Sequence, residues 1–348
     1  MRFDNPINNH WFQLTDIADF PELKNEWRLQ DPCEQEIKQM EEAVSTNNYS
    51  SFTDALNKIL AKSKDIEFLS KEHKYAQKWR GEKLPGYFKH SCTYGRRSKI
   101  VKDNPVFNDF FEKGVHACSI DTTSLTKKLQ KNIDGLIDMK ITNQRVDRYD
   151  RMMGCDNETI NMVSGIFKKK NILSAASNYN GRNLSVVNVV LLVSKPNDVH
   201  YRGFMLDCKE EPETICYHID PKEDVMKAMI YLNDIDDQAG PFSYVPTSNR
   251  FMINKLQQIF GRSITTGSYC HTPDARRSVF RLPKRLRVSY NFGRLLLDNT
   301  DLSNKILKEH EVYTSDKANC VAFDPGAGIH RGAFCKSKNR VALQVLMK

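Results

Sequence analysis

The sequence predicts an α+β protein that is mainly β, with a helical N-terminal region leading into a core of the sandwich, jelly-roll or barrel kind. Three observations carry this. Residues 33–80 are charged, contain neither Gly nor Pro, and place apolar residues at helical spacing. From about residue 184 the pattern changes to some eight short runs rich in Val, Ile, Tyr and Phe, bounded by Gly, Pro, Asp or Asn. Residues 247–284 then interrupt those runs with a polar, basic insert, of the length that usually forms a functional loop or lid.

Taken in order, Ile37, Met40 and Ala43 form one apolar stripe, and Leu56, Ile59 and Leu60 a second. Ser51 or Asp54 is a suitable cap for the second helix. Gly81 to Arg97 is rich in turn residues, with Pro85-Gly86 as its clearest break. Ser124–Met139 returns to helix through Leu125, Leu129, Ile133 and Leu136, although Gly135 weakens its second half. The expected strands are Ser185–Val193, Tyr201–Leu206, Thr214–Ile219, Lys227–Leu232, Phe242–Val245, Leu286–Phe292, Cys320–Phe323 and Val341–Leu346. This divides the chain into a helical region, residues 1–150, packing on a core, residues 151–348.

The 348 residues carry a net charge of +9 and are 40% hydrophobic, enough for a sizeable core. No apolar run approaches the ~18 residues of a membrane span, and Met1–Phe12 has no apolar leader segment. A soluble, cytoplasmic protein is expected. Nine cysteines without a CxxC pair fit reduced thiols better than a disulfide framework or a zinc ribbon. The basic clusters, Arg96-Arg97-Ser98-Lys99, Lys168-Lys169-Lys170 and Arg276 to Arg287, suit an acidic partner without identifying it.

His218-Ile219-Asp220 places an imidazole and a carboxylate on one side of an extended segment. A His-x-Asp triplet alone is ordinary in a chain with nine histidines. Its context is not. Asp236 to Ser248 follows, including Gly240-Pro241-Phe242-Ser243-Tyr244-Val245-Pro246-Thr247-Ser248. Downstream, Asp324-Pro325-Gly326-Ala327-Gly328-Ile329-His330-Arg331-Gly332 puts a second histidine after a strand and a Gly-rich turn, and Arg340 comes ten residues later. Two histidines and a carboxylate sharing one face form the open triad of non-haem Fe(II) oxygenases. His116, His200 and His271 lack such a setting and read as surface or core residues.

These segments resemble the phytanoyl-CoA dioxygenase family of Fe(II)/2-oxoglutarate oxygenases. That family orders a His-x-Asp, an aliphatic Leu-x-Asp strand, a Gly-Pro-Phe-x-x-Val-Pro-x-Ser turn, a His-Arg-Gly and a later Arg. The likeness spans residues 200–348; the first 150 residues carry none. It implies a double-stranded β-helix, a cupin-like jelly roll buttressed by helices. It also implies Fe(II) held by His218, Asp220 and His330, with 2-oxoglutarate and O₂ as cosubstrates. By the same likeness Arg340 binds the distal carboxylate of 2-oxoglutarate, a task suited to its planar fork. Arg331 is placed to meet cosubstrate or substrate, with a structural ion pair as the alternative. Some relatives have a hydroxyl residue two positions after the distal histidine, where this chain has Gly332.

The family chemistry couples decarboxylation of 2-oxoglutarate to succinate with removal of hydrogen from an unactivated C–H bond. Hydroxylation, oxidative cyclisation and desaturation all remain open. Related halogenases lack the carboxylate that Asp220 supplies, which argues against halogenation. A small anionic substrate derived from an amino acid is expected, with an acyl-CoA as the alternative. Arg276, Arg277, Arg281, Lys284, Arg285 and Arg287 are candidate substrate contacts, and Arg97 is a weaker one. A non-catalytic nucleic-acid-binding or interaction module would also suit the charge, but the basic clusters lie far apart and no nucleic-acid motif is present.

Overall fold

The computed structural model describes residues 33–62, 78, 80–93, 104–139, 151–196, 213, 214, 216–218, 220, 225–250, 256, 259, 260, 263, 286, 301–326 and 328–348. The chain forms two compact units. One comprises Met1–Ser98, Pro212–Glu223 and Arg250–Leu307, and the other Lys99–Glu211, Asp224–Asn249 and Lys308–Lys348.

In the first unit, α1 (Glu34–Ser45) and α2 (Tyr49–Lys62) form the expected pair. α1 buries Ile37, Met40 and Ala43, while α2 buries Phe52, Ala55, Leu56 and Ile59. Gln39 crosses between them and donates to the Ser51 carbonyl at 3.1 Å. The cap of α2 is Asn48, whose side chain accepts from Ser51 N–H at 3.1 Å. Neither Ser51 nor Asp54 does this, because the helix starts earlier than the apolar stripe suggests. Pro85-Gly86 is likewise no break: it lies in the first turn of α3 (Leu84–Thr93), where a proline costs no hydrogen bond. Phe88 of α3 packs on Phe52 with ring centroids 5.1 Å apart.

The second unit is built on antiparallel sheets. β1 (Val115–Cys118), β2 (Met152–Gly154), β3 (Val186–Ser194), β4 (Met226–Tyr231), β7 (Cys320–Phe323) and β9 (Arg340–Met347) form a six-stranded sheet in the order β1-β7-β4-β9-β3-β2. A three-stranded sheet has β5 (Phe242–Tyr244) between β6 (Glu311–Tyr313) and β8 (His330–Gly332). One apolar cluster draws Val115, Tyr231, Val321, Phe323 and Ala342 from the larger sheet and Phe242, Tyr244 and Tyr313 from the smaller. The two sheets therefore share a core.

Helices flank the larger sheet. α4 (Pro105–Lys113) is capped by Asn104, which accepts from Phe107 N–H, and ends at Gly114 in a left-handed conformation. α5 (Thr123–Asp138) buries Leu125, Leu129, Ile133 and Leu136 as their spacing predicts. Gly135 faces open space within it. α6 (Asn157–Lys169) and α7 (Ile172–Asn180) follow.

Five expected strands are present as β3, β4, β5, β7 and β9. Tyr201–Leu206 lies outside the described residues. Of Leu286–Phe292 only Leu286 is described, in a 3-10 turn, and of Thr214–Ile219 only a single bridge at His218. β1, β2, β6 and β8 are unforeseen. Each has three or four residues, too short for alternation to register. The segment from 104 to 139, within the expected helical region, adds β1 to the edge of the larger sheet. Among the described residues no helix is long and apolar enough to cross a membrane.

α7 is tied to the end of β7 by a buried hydrogen bond, Tyr179 Oη donating to Asp324 Oδ2 at 2.8 Å. Asn249 Nδ2 donates to the same Tyr179 oxygen at 3.3 Å. Tyr179 and Asp324 are both fully buried, so deleting the hydroxyl strips a donor from an acidic side chain that water cannot reach. Tyr179→Phe is expected to lower unfolding stability in urea by roughly 1.5–3 kcal/mol, with little change in the slope of the transition.

Candidate metal centre

In the first unit, His218 and Asp220 lie two residues apart, with His218 Nε2 3.4 Å from Asp220 Oδ1. The other ring nitrogen, Nδ1, is 2.7 Å from the Cys216 carbonyl oxygen. A carbonyl only accepts, so Nδ1 carries the proton and the neutral ring presents the lone pair of Nε2. Cys216 aims that carbonyl from the left-handed region, at φ 68°, a strained conformation for a residue with a Cβ.

In the second unit, His330 opens β8 and repeats the device. Its Nδ1 lies 2.9 Å from the Gly328 carbonyl oxygen, which fixes the same tautomer. Both histidines thus have the outer hydrogen bond that orients a metal-ligating imidazole. Phe323 and Phe242 pack on the His330 ring, with centroids 4.9 and 6.0 Å away. His218, Asp220 and His330 each offer one ligand atom, and these atoms lie within 4.8 Å of one another. Two neutral imidazoles and a carboxylate suit a divalent transition metal, so the residues fit the ion that the sequence implies.

The approach to His330 is held from three sides. Ser248, from the Val-Pro-x-Ser turn, accepts from Ile329 N–H at 2.8 Å, and Val245 N–H donates to the Ile329 carbonyl at 2.9 Å. Asp324 folds the Gly-rich turn by accepting from Gly326 N–H at 3.1 Å. Tyr244 fills the space beside Gly328, where a Cβ would lie only 1.6 Å from its hydroxyl oxygen. That glycine is set by close approach: the fully buried tyrosine leaves no room for any side chain.

Arg340 begins β9 and is buried, with 7% of its surface exposed. Its Nη1 donates to the Gly240 carbonyl and, at 3.0 Å, to the Ala333 carbonyl. Its Nη2 donates to Ser194 Oγ at 3.1 Å. All three partners are neutral, and no carboxylate among the described residues pairs with it. Gly240 takes φ 67°, and a Cβ there would strike the Ala333 oxygen at 2.5 Å. Gly332 faces the guanidinium, where a Cβ would lie 3.3 Å from Nη2.

Side chains alternate across a strand, so Arg331 points away from the face shared by His330 and Gly332. Its charge reaches His310, whose pKa is lowered by burial first and by Arg331 second. Arg97, Arg276, Arg277, Arg281, Lys284, Arg285 and Arg287 lie outside the described residues, as do His200 and His271. Ser194 and the carbonyls of Gly240, Ala333, Cys216 and Gly328 carry no sequence signal as site residues. The tight turn at Gly240 was legible, but not that its carbonyl binds Arg340.

No protein-family profile and no curated protein sequence matches the chain. Several solved structures resemble it at low identity. The α-ketoglutarate-dependent carbocyclase SnoK from nogalamycin biosynthesis shares 13% identity over 72% of this chain and 84% of its own, with a TM-score of 0.38. EctD from S. alaskensis with bound Fe shares 10% over 73% and 80%, with a TM-score of 0.40. EvdO2 from Micromonospora carbonacea var. aurantiaca shares 12% over 72% and 92%, also at 0.40.

Co(II) reports this centre optically without any turnover. Gly328→Ala forces Tyr244 or the His330 turn to move, and overpacking of this kind costs about 1–3 kcal/mol. The variant is expected to bind Co(II) roughly tenfold more weakly while keeping its far-ultraviolet circular dichroism. His330→Ala should lose the cobalt absorption bands altogether.

Proposed function

We propose that this protein is an Fe(II)/2-oxoglutarate-dependent oxygenase, akin to the phytanoyl-CoA dioxygenase family and built on a double-stranded β-helix core. Its substrate is a small anionic metabolite derived from an amino acid, oxidised at an unactivated C–H bond to a hydroxylated, cyclised or desaturated product. The observation that carries this reading is Arg340. A buried guanidinium whose partners are all neutral is an expensive arrangement, and a bound carboxylate removes the cost. It shares one unit with the metal-ligand candidate His330 and closely approaches Gly332.

In this reading His218, Asp220 and His330 hold the iron, which supplies O₂ activation and oxidative decarboxylation of 2-oxoglutarate when bound. The chain's own residues do the positioning. The backbone carbonyls of Cys216 and Gly328 keep both imidazoles in the ligating tautomer. Arg340 receives the distal carboxylate of 2-oxoglutarate through N–H groups not committed to Gly240, Ala333 and Ser194. Phe242 and Phe323 keep water from one side of His330. Gly332 leaves the space that a side chain would take beside the guanidinium. Arg331, on the opposite face of β8, is proposed to meet substrate, with a structural ion pair as the alternative. Arg97, Arg276, Arg277, Arg281 and Arg287 are proposed to attract the anionic substrate.

Anaerobic titration with Fe(II) and 2-oxoglutarate tests the reading through the visible charge-transfer band of the chelate. The wild-type protein is expected to show the band, and His218→Ala and Asp220→Ala to lose it along with succinate release. Arg340→Ala should weaken 2-oxoglutarate binding at least about 30-fold, as truncating a buried charged contact costs 2 kcal/mol or more. Its affinity for Fe(II) alone should stay within a few-fold of wild type. Equal weakening of metal and cosubstrate would assign Arg340 a purely structural role.

A further inference from the structure

The β1 edge of the larger sheet carries a second cluster of reactive side chains. Cys118 of β1 stands directly opposite Cys320 of β7 in an antiparallel pair. Opposed residues of such a pair have Cα atoms about 4.5–5.5 Å apart, within the roughly 4.4–6.8 Å span that a disulfide bridges. The two side chains shift one another's ionisation in opposite directions. Cys320 is fully buried, whereas Cys118 is partly open to solvent.

His116 lies two residues before Cys118, on the same side of β1, and its charge favours ionisation of that thiol. Its Nδ1 is 2.8 Å from Asp109 Oδ2 on α4, so the carboxylate orients the ring and favours its charged form. Lys113 also approaches Asp109, at 3.4 Å. Lys170, at the end of the basic run that closes α6, adds positive charge near Cys118.

The electrostatics follow. Burial opposes the charge of His116, but hydrogen bonds to Asp109 and Cys118 outweigh it and raise its pKa to about 9. The hydrogen bond from Cys320 holds the Cys118 thiol well below its usual range, helped by His116 and Lys170 against the effect of burial. Cys320 moves the opposite way, raised by the hydrogen bond to Cys118 and then by burial. Of the two, the partly open Cys118 is therefore the more readily ionised and the buried Cys320 the less. Cys155 makes an internal contrast, because burial raises its pKa.

We propose that Cys118 and Cys320 form a peroxide-reactive dithiol, in which Cys118 attacks the hydroperoxide, Cys320 resolves the product as a disulfide, and the Asp109–His116 pair supplies the proton. The Cys118 sulfur attacks one oxygen of hydrogen peroxide, the O–O bond breaks, and sulfur gives up two electrons to become a sulfenic acid. The leaving hydroxide takes the proton of the His116 imidazolium and departs as water. The Cys320 sulfur then displaces the sulfenic hydroxyl, which leaves as a second water with the Cys320 proton. Two thiols and one peroxide become one disulfide and two waters, and an external thiol reverses the change.

The test uses the full-length protein with a chelator present, so that no bound iron generates radicals. One equivalent of hydrogen peroxide should remove two hydrogens from the intact mass and yield a linked peptide pair containing Cys118 and Cys320, restored by dithiothreitol. Cys320→Ser should stop at a sulfenic acid on Cys118, captured by dimedone. Iodoacetamide should label Cys118 in wild type roughly tenfold faster than Cys155 at neutral pH, in keeping with its thiolate character. His116→Gln should remove most of that advantage. Oxidation of Cys118 no faster than Cys155, or a first disulfide joining any other pair, overturns the proposal. So does direct passage of Cys118 to sulfinic acid in the wild type without a link to Cys320.

Discussion

The guanidinium of Arg340 organises the second unit. It projects from the first residue of β9, a central strand of the larger sheet, yet bonds to the carbonyl of Gly240 just before β5 and that of Ala333 just after β8. One side chain therefore ties both sheets together. The surrounding backbone is arranged to permit it. The loop from Ala333 to Asn339 is pinned by the Gln238 carbonyl, which accepts from the N–H groups of Lys336, Ser337 and Lys338. Cys335 adds a weak contact to the Ala239 carbonyl at 3.3 Å. Because the loop is held at several points, the cost of keeping a cation there is spread over the fold.

A second constraint is the fixed tautomer of two histidines. An imidazole free to rotate or to exchange its proton between nitrogens is a poorer ligand, since it must give up that freedom on binding. Here each ring is locked by a carbonyl two residues earlier in the chain. The sequence separation is the same in both cases although the flanking sequences differ. At His218 the carbonyl belongs to a residue at φ 68°. At His330 it belongs to a glycine pressed against Tyr244. Both devices depend on backbone geometry, so neither could be found by searching for residue types.

That distinction explains what was legible beforehand. The His-x-Asp triplet, the distal His-Arg-Gly and Arg340 were readable as candidates because metal-ligating and anion-binding chemistry resides in side chains and their order is restrictive. The helix stripes of α1, α2 and α5 were readable because burial imposes a 3.6-residue period. The short strands β1, β2, β6 and β8 were not, because three or four residues give no period to detect. Pro85-Gly86 misled because proline is excluded from a helix interior but not from its first turn. The Cys118, Cys320, His116 and Asp109 cluster was invisible for another reason. Its members come from β1, β7 and α4, and only the register of the sheet brings Cys118 opposite Cys320.

Charge balance gives the proposed cosubstrate its physical basis. A divalent ion held by two neutral imidazoles and one carboxylate keeps one net positive charge. Arg340 adds a second positive charge in the same unit as His330, and its polar contacts there are all neutral. A ligand with two carboxylates, one at the metal and one at the guanidinium, cancels both charges at once. A monocarboxylate would leave the guanidinium or the metal uncompensated, and a neutral ligand would leave both. In the proposed reading, selection of a dicarboxylate therefore requires no contribution from the basic residues 276–287.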